Sequence, residues 1–233
     1  MKLDKEGALN WIDFFVLGII IIALVNGYKR GLFKEASTFI GLVSAIIFSI
    51  NYADWLAMKI EGTFNLSPSL LYVFCFAIIF IFTLFVLKLL GHYFYMMVKI
   101  TPLRYPNKVG GGIFGILKGV FLLSLVFLMF IFVPVFHSLN QSIDESWAAP
   151  TIRMMIPTTF DMTMRFHPES GRFADKVTRG VLGSKAMEYA DRPKALLKNN
   201  EILGMSLKDI RVLDNIDKYF GQPTELAKRR DKD

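Results

Sequence analysis

Apolar positions in this chain do not alternate or form a single stripe. They fill whole stretches of helix length: about 11–27, 34–53, 68–88 and 109–133. Each runs for about 17–25 residues, and some twenty residues rising ~1.5 Å apiece cover roughly 30 Å, the thickness of a hydrocarbon core. The pattern predicts four transmembrane helices. Polar breaks separate them. The first, Asn26 to Ser37, carries Lys29, Arg30 and Lys34; the second, Asn51 to Ser67, sets Lys59 against Asp54 and Glu61; the third carries Lys88, Lys99, Arg104 and Lys108. Ser67-Pro68 reads as a helix start, because Ser caps free amides and Pro tolerates the first helical position.

After Pro134 the pattern changes. The stretch up to Pro168 holds Trp147, Pro150 and Pro157 with scattered Met and Phe, which predicts loop and short helices at the membrane surface. Helical periodicity returns with Phe173, Val177 and Val181, and again with Leu203, Leu207, Ile210, Leu213 and Ile216. The expected fold class is therefore all-α: a four-helix transmembrane unit over 1–135 and an extramembrane tail with amphipathic helices over 136–233.

Composition sharpens this picture. Of 233 residues, 53% are hydrophobic and 22 are Phe, and the mean hydropathy is +0.42. The net charge of +7 is unevenly spread: 16 of the 27 Lys and Arg and 14 of the 20 Asp and Glu lie from Val135 onward, leaving that part at +2. The remaining charge sits on short loops and flanks, where it faces anionic headgroups; no basic stripe interleaved with aromatics marks a nucleic-acid surface. The first and third breaks hold seven Lys and Arg, against four in the N-terminus, the second break and the start of the tail. The positive-inside rule then places both termini outside the cytoplasm. A single cysteine, Cys75, excludes an intramolecular disulfide and a cysteine metal site.

Polar residues inside the apolar runs are the candidates for function. Asp13 has two readings, an interfacial carboxylate favoured by the dipole at a helix start or part of a polar site facing the other helices. Lys118 also has two, a snorkelling cation or a buried partner of an acid. Glu35 is the better-placed acid, since both approach from the side of the first loop. Two small-residue faces are predicted to pack: Ser37, Gly41, Ala45 and Ser49 on the second helix, and Gly111, Gly115 and Gly119 on the fourth. Each glycine costs about 1 kcal/mol relative to alanine in a helix interior, so such a stripe calls for close approach of another backbone. The expectation is that these two faces meet, within one subunit or across two.

Trp11-Ile12-Asp13, then Gly27-Tyr28-Lys29-Arg30-Gly31-Leu32-Phe33-Lys34-Glu35, then Asn107-Lys108 before Gly110-Gly111-Gly112, Gly115 and Lys118-Gly119, resemble the colicin V production protein family (CvpA). The resemblance covers about Asn10 to Pro157. It implies a bacterial inner-membrane protein associated with toxin production or export and with envelope maintenance, and it marks Asp13, Arg30, Gly31, Glu35, Gly111, Gly115, Lys118 and Gly119 as motif positions. Some relatives carry an extracytoplasmic serine-protease domain; this tail lacks the Gly-x-Ser-x-Gly motif of such a domain.

No motif for catalysis, cofactor or metal emerges: there is no His-Glu-x-x-His, no phosphate loop and no paired Cys. Gly110-x-Gly112-x-x-Gly115 opens a membrane helix and follows no strand, so it does not read as a nucleotide site. The expectation is a non-enzyme with no cofactor, embedded in the lipid bilayer, forming a homo-oligomer and offering its tail to an envelope partner. The alternative is an oligomeric channel or secondary transporter for a small solute or ion, lined by Asp13, Glu35 and Lys118.

Overall fold

The computed structural model describes residues 10–62, 66–97, 104–133, 136–164, 171–183 and 207–221. Among these, the long helices are α1 (Trp11–Arg30), α2 (Leu32–Ile60), α3 (Pro68–Met97) and α4 (Arg104–Phe132); the tail contributes α5 (His137–Asp144), α6 (Ala149–Arg153), α7 (Met155–Met164), α8 (Phe173–Leu182) and α9 (Leu207–Phe220). Leu203 of the expected tail periodicity lies outside the described residues. All four long helices are long and apolar enough to cross a membrane, and the class is all-α, as the apolar runs predict.

The helices overrun the apolar windows. α2 starts at Leu32 and continues to Ile60, and α4 begins at Arg104, earlier than the expected Val109. The physical reason is that helical hydrogen bonds are local and do not stop where hydrophobicity does. Pro106 sits in the first turn of α4, where its missing N–H breaks no intrahelical bond.

The α1–α2 turn is a single residue. Gly31 takes φ +84°, a backbone conformation that L side chains rarely adopt, so glycine is required there. Its N–H still reaches Gly27 O at 3.0 Å, and the next free amide, Leu32 N–H, donates to Asn107 Oδ1 of α4 at 2.9 Å.

Contacts divide the chain into two compact units, each drawing on both spans and tail. The first comprises Met1–Val43, Val86–Phe130 and Phe136–Ile156; the second comprises Ser44–Phe85, Ile131–Val135 and Pro157–Asp233.

In the first unit α1 and α4 run antiparallel in close contact. Near the α1–α2 turn a Cβ on Gly111 would lie 2.7 Å from Gly31 Cα, and one on Gly115 would lie 2.9 Å from Gly27 Cα. Farther along, one on Gly119 would lie 2.8 Å from Ala23 Cβ. At the other end Ile12 and Val16 join Leu123, Phe127, Ile143, Ala149 and Ile152 in one buried cluster. The expected partner of the α4 stripe is thus corrected: it packs on α1, not on the small face of α2. The reason is that Ala23, Gly27 and Gly31 supply a second stripe at the same spacing of four, and two small faces let backbones approach more closely than one. The start of α2 instead meets α4 through Phe39, whose ring lies edge-on to Phe114 and Phe121 at 5.8 and 5.2 Å. Its Ser37 and Gly41 face Gly91 and Leu87 of α3.

The second unit contains the remainder of the α2 small face. Ala45 and Ser49 are fully buried, with Ser49 Oγ donating to Ala45 O at 2.6 Å. Ala57, Leu71 and Cys75 form a small core between α2 and α3. The tail helices build their own interior: α8 buries Phe173, Val177 and Val181, the residues its periodicity predicts, and α9 buries Val212, Leu213 and Ile216. Phe173 meets Phe160 of α7 and Phe220 of α9 edge-on. On α8, Gly180 lies so close to the Tyr72 ring of α3 that any side chain there would overlap it. Lys176, one turn earlier on α8, lies 3.8 Å from Asp54 of α2.

Candidate functional site: a buried ion pair and a carboxylate latch

The polar residues singled out from the sequence fall at opposite ends of the α1–α4 pair. At the end near the α1–α2 turn, Glu35 is fully buried in the first turn of α2 and is ion-paired with Lys118 of α4. The stem of a helical side chain tilts toward its own N-terminus, which for α4 points toward this turn. Lys118 therefore reaches back from the span to a carboxylate near the span's edge. Arg30 approaches the second carboxylate oxygen at 3.5 Å while remaining 53% exposed. The three residues form a net cationic group in which the buried anion is satisfied by two cations. A buried ion must be paired, because its desolvation costs several kcal/mol.

At the other end Asp13 is buried and accepts from four donors. Asn10 N–H at 3.0 Å and Trp147 N–H at 3.4 Å reach Oδ2; Ser146 Oγ–H at 2.5 Å and Ala148 N–H at 3.2 Å reach Oδ1. Ser146 Oγ in turn accepts from Ala149 N–H at 3.1 Å. One carboxylate thus serves the free amides at the starts of two helices, α1 and α6, where helix dipoles favour negative charge. Asn10 adds a second tie, its side-chain amide donating to Ser142 O at 2.8 Å. Asp13 sits in the first turn of α1 and is turned into the protein interior.

Asp13 is not brought to Glu35 and Lys118: it lies at the start of α1, whereas Glu35, in the first turn of α2, lies beyond the end of α1. The small residues divide likewise, Gly111, Gly115 and Gly119 on α1, Ser37 and Gly41 on α3. Ser146, Asn10 and Asn107 are site residues that sequence reading does not single out for a role. Ser146 carries no local signal, being one serine in a polar loop. Ala23, Gly27 and Gly31 do carry one, a four-residue spacing that matches the α4 stripe.

Chemically the two clusters are clasps. Each joins segments far apart in sequence through a satisfied charge.

Comparison with curated proteins and with solved structures finds no match. The family model for the colicin V production protein matches residues 12–157, a stretch that contains Asp13, the α1–α2 turn, Glu35, the α4 glycines, Lys118 and Ser146, and that ends at the start of α7. The residues that carry the resemblance include Asp13 of one clasp, Arg30, Glu35 and Lys118 of the other and the α4 glycines of the α1–α4 contact, and the chain belongs to the colicin V production protein family.

Proposed function

We propose that this protein is a non-enzymatic scaffold of the bacterial inner membrane that serves toxin production or export and envelope maintenance, with its tail offered to envelope partners. The observation that carries the reading is how the charges of Asp13, Glu35 and Lys118 are used. Glu35 is consumed by Lys118 and Arg30 at one end, and Asp13 by amides and a hydroxyl at the other. A solute path needs polar groups succeeding one another along the span and free to exchange partners. These groups are instead separated by the length of α1 and closed upon themselves. Self-association belongs to the same proposal, and it has to use outer apolar faces, since the α4 glycines are occupied within the chain.

The test is flux in reconstituted vesicles. Full-length protein is expected to leave proton, Na⁺ and K⁺ permeability at the level of protein-free vesicles. A flux above that level, abolished by both Lys118→Ala and Glu35→Ala, would overturn the scaffold in favour of a transporter.

A further inference from the structure

Residues 145–156 are built inside out for a loop in water. Ala148 and Met154, which flank α6, keep right-handed helical torsions, so 148–154 advance as one helical stretch. Ala149, Ile152, Arg153 and Ile156 are buried, while Trp147, Thr151, Met154 and Met155 are exposed, a spacing of four, three and one that marks a single outer face. That face holds no charge. Trp147 is 90% exposed, whereas Arg153 is 4% exposed and turned inward, with Nη2 donating to Asp144 at 2.8 Å. A hydrated segment would show its guanidinium and hide its indole.

The segment is also tied to spans at both ends. Trp147 and Ala148 are bonded to Asp13, two residues into α1. At its far end Ser124 Oγ–H donates to Arg153 O at 3.0 Å and accepts from Ile156 N–H at 3.2 Å. Ser124 lies eight residues before the end of α4, about 12 Å inside that helix by its rise. Irregular backbone at such a depth is tolerated only if its polar groups find partners within the protein. At the Ser124 end Arg153 O and Ile156 N–H share that hydroxyl; at the Asp13 end Glu145 N–H and Ser146 N–H bond Gln141 O and Ile143 O, Trp147 and Ala148 bond Asp13, Ala149 bonds Ser146, and position 150 is proline.

We infer that residues 145–156 form an element seated in the bilayer interface, with Trp147, Met154 and Met155 in contact with lipid and Asp13 and Ser124 holding it at that depth. The ligand is the lipid surface itself, at the boundary of headgroups and acyl chains, where amphipathic rings are favoured. The inference rests on α1 and α4 spanning the membrane, and its test separates the two. Trp11, Trp55 and Trp147 are the three tryptophans of the chain, and Trp11 and Trp55 are both more than half exposed, so phenylalanine is accommodated at either. Two full-length variants, W11F/W55F and W55F/W147F, leave Trp147 or Trp11 as the sole indole. Each is reconstituted in phosphatidylcholine brominated near the top of its acyl chains, and fluorescence quenching is compared with that by aqueous iodide. Trp147 is expected to be quenched by the brominated lipid to within about a factor of two of Trp11 and to be shielded from iodide. Trp11 quenched by lipid and Trp147 only by iodide would overturn the inference while leaving α1 in the membrane. Neither quenched by lipid would overturn it together with the placement of α1.

Discussion

Glu35 and Lys118 are 83 positions apart, and each is tolerable in a span only because of the other. Breaking a buried pair leaves an uncompensated charge and costs about 3–5 kcal/mol, whereas replacing both partners by uncharged groups of similar volume is often neutral. Lys118→Met or Glu35→Gln alone is therefore expected to lower stability by roughly that amount, and the double variant to recover most of it. Helix content followed through denaturation in mixed micelles checks this; a double variant no more stable than the worse single one would argue against a clasp. Arg30 matters less, because more than half of its surface is in contact with solvent or headgroups, where ion pairs are worth little. Both charged residues stand out in the sequence as breaks in apolar runs, and their approach from the same side follows from counting spans. Asp13 stands out too, but Ser146, Trp147 and Ala148, three of its four donors, do not. Nothing local in residues 146–148 says that a carboxylate more than 130 positions earlier will accept their protons.

At the scale of elements, what matters is which faces meet. A Cβ on Gly111 or Gly115 runs into backbone atoms of α1, which cannot rotate aside as a side chain can. Gly115→Ala is thus expected to push α1 from α4 and lower the apparent melting temperature in detergent. Gly18→Ala, with nothing within 4 Å of the new atom, is expected to be neutral or to stabilise by up to about 1 kcal/mol through helix propensity. Circular dichroism melts of the two proteins decide the matter, and equal effects would sink the assignment of the α1–α4 contact. The existence of all four spans was legible from length and apolarity, and so was the buried face of α8 from a spacing of four. The helix ends were less so, because α2 and α4 continue as helices into polar flanks where the hydropathic signal has already ended. The partner of the glycine stripe differs from the expected face of α2 because Ala23 and Gly27 of α1 and Gly31 at its end display the matching spacing.

For the whole molecule, an even number of spans is expected to put the start of α1 and the end of α4 on the same side of the bilayer, and the excess of Lys and Arg in the first and third connections predicts that this side faces away from the cytoplasm. Protease added to intact spheroplasts is accordingly expected to digest the tail, and protease added to inverted inner-membrane vesicles to spare it. The opposite result would reverse the orientation and place any partner of α8 and α9 in the cytoplasm. By itself the sequence determined that there are four membrane helices, roughly where they run, which residues in them are chemically out of place, and that the tail is a different kind of polypeptide. These are local properties: the bilayer selects helices by length and apolarity, because every backbone group in lipid must be satisfied within its own segment. Only the tertiary structure decided that α4 pairs with α1, that Lys118 reaches Glu35, and that residues 145–156 fold back onto Asp13 and Ser124. In lipid one apolar face is as well solvated as another, so hydrophobicity does not choose partners. The choice falls to shape and to a few polar groups, and those are matched across distances that no local pattern encodes.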